Sequence, residues 1–395
     1  MVGQTLRTQV CIIGGGPAGM FLSHVLAASG IDSIVVERQT KAHVLGRIRA
    51  GVLEHGTVAL LREYGLAERM DREGMVKKGT RIVWHEKDDH FIDTVRWTGK
   101  PMMNWGQTQI TEDLYAARER DGGVVICEAE NVRLHDIAGA PSVTFDLAPG
   151  PHTVSCDFIV GCDGFHGPSR GYVPSDLQRN YERVYPFGWL GIMVERPPLP
   201  DITYAYHPDG FALASRRNER LSRYYIQVPV TDRVEDWSDD RFWDALMQKF
   251  PEPMAAKIET GPSVEKSIAP LRSFVSEPMA WGKLFLAGDA AHIVPPTGAK
   301  GLNLAFSDTF YLSRALIAHY GEGDDHYLDT YSDTALRRVW AVESLSWRLT
   351  RLLHAFPNED PFDQQLRQAE YDLLLRSEDV QRALAYEYVG LPFEA

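Results

Sequence analysis

The sequence predicts an α/β protein in which a domain that begins with a βαβ unit is interrupted by a β-rich insertion and followed by a helical C-terminal region. Three observations predict this fold. A glycine-rich turn joins the first strand to the first helix, residues 184–230 have the composition of strands, and residues after 302 have an almost wholly helical spacing. At 395 residues the chain exceeds a single hydrophobic core, so more than one packed domain is expected.

The charge and composition exclude several classes of partner. The net charge is −13 and no Lys/Arg-rich run is present, so neither nucleic acid nor an anionic membrane is expected to bind. No apolar run reaches transmembrane length and the first residues do not resemble a leader, which favours a cytoplasmic enzyme. The 4 cysteines form no CxxC pair, so neither a disulfide framework nor a metal site is expected.

The first βαβ unit carries a dinucleotide signature. An apolar strand at 8–13 leads into a run in which Gly14, Gly16 and Gly19 precede a helical pattern. Glycines at this spacing permit a tight turn, close approach to a pyrophosphate and close helix–strand packing. The next strand, 31–37, ends in Glu37, which is placed to accept hydrogen bonds from ribose hydroxyls and would repel a 2′-phosphate. A Rossmann-type site for FAD or NAD(H) is therefore predicted.

Two later strands distinguish FAD from NAD(H). The strand at 158–162 ends in Asp163 and the strand at 284–287 leads to Asp289, each placed to hold a sugar hydroxyl at the carboxyl edge of a parallel sheet. A plain Asp-Gly turn is the alternative for Asp163. A glycine-rich stretch at 295–303 then enters a long helix, which makes a second anion site. A ligand that contacts both ends of the chain must be long, which favours FAD.

The remaining elements are less distinctive. Helices are predicted at 52–70, 111–121 and 239–250, and strands at 80–105 and 124–163. No internal repeat or low-complexity linker separates them.

The motifs at 14–19, 162–164 and 288–289 together resemble those of the class A flavoprotein monooxygenases. Longer runs are similar to the members of that family that hydroxylate 4-hydroxybenzoate: 46–54, 185–191, 267–272, 286–305 and 388–392. The resemblance implies an α/β fold with a Rossmann-type FAD-binding domain, an inserted β-sheet substrate domain and a helical C-terminal region. The implied divisions are 1–180 for the FAD-binding domain (with the β-rich segment 80–105 near the substrate side), 181–271 for the substrate domain, 272–305 for the return to the FAD domain, and 306–395 for a helical region that forms a homodimer interface.

The resemblance also implies an activity and a substrate site. The activity is hydroxylation of 4-hydroxybenzoate at C3 to 3,4-dihydroxybenzoate, with O2 and NAD(P)H, through a flavin C4a-hydroperoxide. Arg217 would bind the substrate carboxylate, because a guanidinium fork suits a carboxylate, and Ser215 and Tyr225 would add hydrogen bonds. Tyr204 would take a hydrogen bond from the substrate phenol and Tyr388 would continue that proton relay. The carbonyl of Pro296 would lie against the reacting edge of the ring. Taken without the family, these residues are simply polar side chains on strands and a C-terminal aromatic.

The resemblance assigns further residues to the two cofactors. The implied FAD contacts are Gly14, Gly16, Gly19, Glu37, Arg47, Arg49, Gln107, Asp163, Asp289, Lys300, Gly301, Leu302 and Asn303. The implied contacts with a transiently bound nicotinamide donor are Arg38, Gln39, His43, Arg47, Arg49, His166 and Arg272. The donor is expected to be NADPH, with NADH left open because His43 stands where the family commonly has tyrosine.

The sequence departs from the family at the end of the proton relay. Lys77 stands where family members have a histidine that connects the relay to solvent. Lysine, with an ordinary pKa of ~10.4, is a poor shuttle at neutral pH unless burial lowers its pKa. We therefore expect a different proton exit and a different pH dependence.

Three alternatives remain open from the sequence. The same chemistry could act on another hydroxy- or aminobenzoate. An NAD(H)-dependent dehydrogenase would explain the first βαβ unit but not Asp289 or the 295–303 stretch. A non-catalytic flavin-binding protein would not need Arg217 and Tyr204.

Overall fold

The computed structural model describes residues 5–46, 51–148 and 150–394. Within these ranges the strands are β1 (Thr5–Arg7), β2 (Val10–Ile13), β3 (Ser33–Val36), β4 (Val52–Leu53), β5 (Met75–Lys77), β6 (Gly79–Trp84), β7 (His90–Asp93), β8 (Met102–Asn104), β9 (Val124–Ile126), β10 (Glu130–His135), β11 (Ser142–Leu147), β12 (Gly150–Ser155), β13 (Phe158–Gly161), β14 (Arg179–Val194), β15 (Thr203–His207), β16 (Gly210–Arg216), β17 (Ser222–Pro229), β18 (Ser263–Glu277), β19 (Ala280–Trp281), β20 (Leu284–Leu286) and β21 (His292–Ile293).

The α-helices of the same ranges are α1 (Pro17–Ala28), α2 (Lys41–Leu45), α3 (His55–Glu63), α4 (Glu68–Glu73), α5 (Thr94–Thr98), α6 (Gln107–Arg120), α7 (Asp239–Met247), α8 (Glu252–Ala255), α9 (Gly301–Glu322), α10 (His326–Leu353), α11 (Pro361–Arg376) and α12 (Glu378–Tyr388). Short 3₁₀ turns occur at Ser169–Tyr172, Val234–Asp236 and Gly288–Ala290.

A six-stranded sheet forms the nucleotide-binding layer. Its order is β19-β20-β13-β2-β3-β9, and all neighbours pair in parallel except β19 with β20. The residues of β2, β3, β13 and β20 are buried, as expected for strands covered on both faces. One hydrophobic core joins this sheet to α1, α6 and α9. The carboxyl ends of β2, β13 and β20 therefore meet at one edge, where the glycine turn and both candidate aspartates follow.

An eight-stranded sheet forms the second layer, in the order β21-β18-β14-β17-β16-β15-β6-β7. Alternation along β16 gives each face its own core. Phe211 and Leu213 belong to the core shared with the C-terminal helices, whereas Ala212 and Ala214 belong to the core that contains Phe242 of α7. Two smaller sheets complete the fold, in the orders β1-β12-β11-β10 and β4-β8-β5.

The α/β fold predicted from the sequence is confirmed, with local differences. The helix predicted over 52–70 is instead β4, α3 and α4, because the chain turns at Gly65, whose φ of +70° lies in the left-handed region. The segment 80–105 contains α5 as well as strands, and α6 begins at Gln107 rather than 111. β6 and β7 join the sheet of the predicted substrate domain, and β18 runs through its predicted end at 271. The domain divisions stay predictions.

Three expected absences can be compared with the described residues. All 4 cysteines are free thiols. A search of the described ranges found no helix long and apolar enough to cross a membrane. The same ranges hold no cluster of three or more His, Cys, Asp or Glu side chains that could bind a metal ion.

Candidate active site

In the glycine turn after β2, backbone atoms of neighbouring segments lie very close to the glycine Cα positions. Gly14 has a φ of +111°, and a Cβ there would lie 2.2 Å from the carbonyl oxygen of Cys162. A Cβ on Gly19 would lie 2.1 Å from the carbonyl oxygen of Gly14, so neither position accepts a side chain. A Cβ on Gly16, in contrast, would meet nothing within 4 Å. The space over Gly16 faces the N-terminus of α1, where unpaired N–H groups and the helix dipole favour a phosphate.

Glu37 lies beside this turn, at the end of β3. Its carboxylate accepts hydrogen bonds from the N–H of Gly15 at 2.6 Å and from the N–H of Gln39 at 2.7 Å. Tyr115 of α6 donates to the carbonyl of Gly15 at 3.0 Å and fixes the turn from the other side. Glu37 is thereby held at the carboxyl edge of the sheet, within reach of a ribose bound over the turn.

Asp163 follows β13 and has an unsatisfied buried oxygen. Its Oδ2 accepts from the N–H of Ser169 at 2.9 Å and from the hydroxyl of Ser169 at 2.7 Å, while Oδ1 is buried with no hydrogen-bond partner. Burial raises the pKa of this carboxyl, and the bonds from Ser169 oppose the rise. A buried acceptor without a donor is costly, so the position calls for a ligand hydroxyl.

Asp289 lies in the exposed part of the 3₁₀ turn that follows β20. Gly288, before it, has a φ of +62°, and its N–H donates to Asp308 of α9 at 2.8 Å. The turn thus places Asp289 at the same sheet edge as Asp163.

The loop from Pro295 to α9 supplies backbone groups rather than side chains. Lys300 is buried and donates from Nζ to Glu54 Oε1 at 2.7 Å and to the carbonyl of Tyr388 at 2.7 Å. Glu54 also accepts from Arg338 Nη2 at 3.0 Å. Lys300 therefore serves a buried ion network, and any contact it makes with a cofactor is through its backbone.

The side-chain amide of Asn303 likewise forms its hydrogen bonds within the protein. Its Oδ1 accepts from the N–H of Glu54 at 2.9 Å and from Thr57 at 2.8 Å, and its Nδ2 donates to the carbonyls of Val52 and Ala299. The N–H groups of Gly301, Leu302 and Asn303 belong to the first turn of α9, which has no intrahelical acceptors for them. These amides, at the positive end of a 22-residue helix, remain for a ligand.

The predicted substrate residues share one face of the large sheet. Tyr204 pairs with Leu213, Leu213 pairs with Tyr225, and Ser215 follows Leu213 by two residues on the same strand. Arg217 comes two residues further, where β16 turns into β17, and its backbone N–H donates to Leu221. Because strand side chains alternate, these residues point to the side that packs against the C-terminal helices.

Arg217 is half-buried, and its guanidinium forms no ion pair with a carboxylate of the described residues. Its Nε is buried without a hydrogen bond. Burial lowers the pKa of Arg217, and a hydrogen bond with the hydroxyl of Tyr225 opposes that change. The neighbouring Arg223 differs, because it donates to Glu265 at 2.7 Å and to Ser267 at 3.1 Å. The Ser215 hydroxyl donates to the carbonyl of Arg223 at 3.2 Å.

Tyr204 and Tyr388 lie at the other end of this face. Their hydroxyl oxygens are 3.4 Å apart, and the Tyr204 oxygen also accepts from the N–H of Gly298 at 3.2 Å. Burial raises the pKa of both phenols, and a hydrogen bond with Thr80 opposes the rise at Tyr388. Gly298 belongs to the loop before α9, so this contact joins the sheet face to the candidate cofactor loop.

Pro296 and Gln107 are two further predicted site residues, near the edge of the sheet where the cofactor is expected. The carbonyl of Pro296 accepts from the N–H of Ala299 at 3.0 Å, and the residue is exposed. Gln107 is the first residue of α6 and is half-buried. Arg47 and Arg49, which were assigned to both cofactors, lie outside the described residues.

Lys77 is buried, and no hydrogen bond joins it to Tyr204 or Tyr388. Its Nζ donates to the carbonyl of Pro200 at 3.1 Å. Burial lowers its pKa, Arg216 lowers it further, and Asp201 opposes the change. The residue that the structure places beside Tyr388 is Thr80.

The residues assigned to the nicotinamide donor form two groups. Arg38 and His43 are exposed and Gln39 half-buried, near the end of β3. His166 and Arg272 flank Phe165, with the Arg272 guanidinium 4.6 Å from its ring centre. Arg272 also forms an ion pair with Glu182 at 3.3 Å.

Sequence reasoning missed the residue that links the two aspartate loops. Arg170 donates to the carbonyl of Phe165 at 2.7 Å and to the carbonyl of Ala290 at 2.9 Å. Its guanidinium lies between the rings of Phe165 and Phe274. No sequence motif marks this arginine, since its acceptors are backbone carbonyls, one of them 120 residues away.

The groups along the carboxyl edge of the six-stranded sheet fit FAD by their chemistry. Open space over Gly16, the buried acceptor of Asp163 and the free N–H groups at the start of α9 lie along one edge of the sheet. Glu37 and Asp289 extend that edge with carboxylates for sugar hydroxyls. Two helix N-termini favour the pyrophosphate and the polar rim of a flavin.

Comparison with known proteins agrees with this geometry. Residues 7–346 match the family described as FAD binding domain. The p-hydroxybenzoate hydroxylase of Acinetobacter baylyi is 49% identical over 392 residues, which cover 99% of this chain and 97% of that protein. The rifampicin monooxygenase of Streptomyces venezuelae is 28% identical, over 95% of this chain and 77% of that protein. The crystal structure of p-nitrophenol 4-monooxygenase from Pseudomonas putida has the same fold, with a TM-score of 0.82, 18% identity and 98% of both chains covered.

Proposed function

The chain belongs to the FAD-binding family of aromatic hydroxylases and is an FAD-dependent monooxygenase, and on that premise we propose that it hydroxylates 4-hydroxybenzoate at C3 to 3,4-dihydroxybenzoate with NADPH as electron donor. Family membership removes the dehydrogenase and the non-catalytic alternatives. The substrate, the position of hydroxylation and the donor are the parts that we propose. The name of the A. baylyi relative supports the choice of substrate.

The unpaired guanidinium of Arg217 is the observation that carries the proposal. It is half-buried, its Nε is buried without a hydrogen bond, and no carboxylate of the described residues pairs with it, so an anion is favoured there and a benzoate carboxylate supplies one. Tyr225 and Ser215 lie on the same face and are placed to add hydrogen bonds. A neutral substrate would leave this arginine unpaired, so an aromatic acid is favoured.

The tyrosine pair supports a phenol at the opposite end of the substrate. Tyr204 accepts from Gly298 and lies 3.4 Å from Tyr388, so its own proton can pass to Tyr388 as it receives one from the substrate. A substrate phenol with a pKa near ~10 is mostly protonated at neutral pH, although its phenolate is the electron-rich form. Because burial raises the pKa of both tyrosines, they pass a proton along the chain rather than hold a charge.

FAD, when bound, supplies the activation of O2 and the transfer of one oxygen atom to the ring. Its pyrophosphate would lie over Gly16, its sugar hydroxyls at Glu37, Asp163 and Asp289, and its ring edge at the amides that begin α9. The buried faces around Tyr204 would keep water from the reacting edge.

The choice of donor rests on basic residues other than those expected to hold FAD. Arg38 is exposed beside Glu37, where it can meet a 2′-phosphate, and His166 and Arg272 lie together around Phe165. NADH remains the alternative donor.

We extend the proposal to a homodimer formed by the C-terminal helices. Phe362, Leu366 and Leu373 are exposed along one side of α11, with Phe362 at 70% exposure. Apolar side chains at this spacing suit burial against a second copy. Light scattering should give twice the mass of the 44.4 kDa chain.

The substrate is tested by steady-state NADPH oxidation in air with a panel of ring acids. We expect 4-hydroxybenzoate to stimulate oxidation and to be converted to 3,4-dihydroxybenzoate. Benzoate, which lacks the phenol, and phenol, which lacks the carboxylate, should give no hydroxylated product. Preferential hydroxylation of 4-aminobenzoate or of a phenol without a carboxylate would contradict the proposal.

A further inference from the structure

A buried ion pair lies directly behind the turn that carries Asp289. Asp308 of α9 has no exposed surface, and its Oδ2 accepts from His292 Nε2 at 2.6 Å and from the N–H of Gly288 at 2.8 Å. His292 is 2% exposed. One carboxylate oxygen therefore accepts hydrogen bonds from both ends of the turn from Gly288 to His292.

Other contacts also support the turn, among them the bond from Arg170 to the carbonyl of Ala290 at 2.9 Å. Gly288 adopts a left-handed φ of +62°, and Asp308 is the acceptor of its N–H. The carbonyl of Ala291 accepts from Ser276 at 2.8 Å, and His292 pairs with Val275. The exposed middle of the turn, where Asp289 lies, is thus held by Arg170 at Ala290, by β18 beyond Ala291 and by Asp308 at both ends.

We propose that Asp308 and His292 are positioning residues, which hold the turn at Asp289 so that its carboxylate meets the sugar hydroxyls of FAD. The inference rests on the contact between Asp289 and FAD that the proposed function contains. Neither residue is itself placed to touch substrate or cofactor, since both are enclosed beneath the turn.

A charged pair is favoured by the groups around the imidazole. Asp308 faces it from α9, Glu343 faces it from α10, and Asp289 lies in its own turn. β18 presents Val275 opposite His292 and Phe274 opposite Ile293, and neither side chain ionises. Burial lowers the pKa of His292, but the charge of Asp308 and its hydrogen bond outweigh that effect and raise the pKa. The raised pKa favours the imidazolium, whose Nε2 donates to Asp308.

The test compares FAD dissociation from the full-length holoenzyme in matched variants. Asp308→Leu removes both acceptors, and we expect the Kd for FAD to rise about 10-fold or more, as loss of a charge-assisted hydrogen bond implies. Thr309→Val is the control, because Thr309 is equally buried on α9 but its hydroxyl donates only to Phe306 of its own helix. A control Kd within about twofold of wild type is expected, since no contact with the turn is lost.

Asp308→Asn provides a readout that a general packing defect would not give. The amide oxygen can take the place of Oδ2 and accept from both Gly288 and His292, whichever protonation state the imidazole has. The Kd should therefore stay within about threefold of the wild-type value, whereas Asp308→Leu, which offers no acceptor, weakens FAD binding.

Equal Kd values for Asp308→Leu and Thr309→Val, or a Kd for Asp308→Asn raised as far as that of Asp308→Leu, would overturn the inference. If Asp308→Leu does not fold, His292→Leu is compared with the same control, because it removes one of the two bonds to Asp308 and leaves the bond from Gly288. A Kd for His292→Leu equal to that of Thr309→Val would then overturn the inference. These affinities need no substrate. A wild-type protein that makes no 3,4-dihydroxybenzoate would overturn the proposed function and leave this inference standing.

Discussion

The hydroxyl oxygens of Tyr204 and Tyr388 lie 3.4 Å apart, and each phenol comes from a different part of the fold. Tyr204 is on β15 of the large sheet, whereas Tyr388 ends α12. Gly298 donates to Tyr204 from the loop that precedes α9. The large sheet, this loop and the C-terminal helix thus meet at one pair of hydroxyl groups.

Replacement of Tyr204 by Phe should uncouple NADPH oxidation from hydroxylation. The hydroxyl that receives the substrate proton is lost, so the hydroxylation rate should fall by a factor of about 100 or more. NADPH should still be consumed, and the missing product should appear as H2O2. Parallel assays of nicotinamide, peroxide and 3,4-dihydroxybenzoate measure the effect. An unchanged ratio of product to NADPH would remove Tyr204 from the relay.

Replacement of Arg217 by Lys should weaken substrate binding while leaving FAD in place. A lysine loses the two-point geometry of the guanidinium, and the Kd for 4-hydroxybenzoate should rise about 10- to 100-fold. Arg220→Lys is the control, because Arg220 is exposed on the same turn. Titration of the flavin spectrum with substrate measures the Kd. Comparable losses of FAD and substrate would assign Arg217 to the scaffold instead.

Replacement of Lys77 by Met should leave coupling nearly unchanged. Its ammonium donates to Pro200, so it does not join the tyrosine pair directly. Burial lowers its pKa, and removal of the charge should therefore preserve or raise the melting temperature. Lys78→Met, at an exposed position, is the control. A several-fold loss of product per NADPH in Lys77→Met alone would make Lys77 the proton exit.

Glu343 should make stability depend on pH. Burial raises its pKa to about 7, with bonds from Ser273 and Phe274 opposing the rise. Below the unfolded pKa, near 4.5, the carboxyl is protonated in both states and contributes no pH dependence. Between there and about 7 only the unfolded state ionises, so the free energy of unfolding falls as pH rises.

Glu343→Gln should remove this fall. Above pH 7 it should unfold with a free energy about 3 kcal/mol higher than wild type, and the two should converge in acid. Urea unfolding across the pH range measures the difference, with the exposed Glu370→Gln as control. A difference that does not vary with pH would show that folding leaves the pKa of Glu343 unchanged.

The sequence predicted what local chemistry dictates. The glycine turn, Glu37 and the helix at 301 were recognisable because each depends on residues adjacent in the chain. The helix predicted over 52–70 was wrong in detail, because apolar spacing continues across Gly65 although the backbone turns there. Assignment of the substrate residues required the family resemblance, since Tyr204 and Arg217 look like ordinary strand residues.

Long-range partners could not be predicted. The cofactor contact of Lys300 stays a prediction, whereas the pairing of its side chain with Glu54, 246 residues away in the sequence, was not foreseen. Asp308 and Arg170 form hydrogen bonds with backbone groups. Because nearly every residue type has these groups, the sequence does not mark the partners. Such contacts depend on how the two layers pack against each other. The apolar periodicity along a single element does not predict that packing.

The most direct test of the proposed function is the aerobic reaction of the purified protein with NADPH and 4-hydroxybenzoate under isotopically labelled O2. We predict a yellow protein that consumes NADPH faster with substrate than without it. The product should be 3,4-dihydroxybenzoate with the label in the new C3 hydroxyl group. Peroxide alone, unlabelled product, or a label at another ring position would contradict the account.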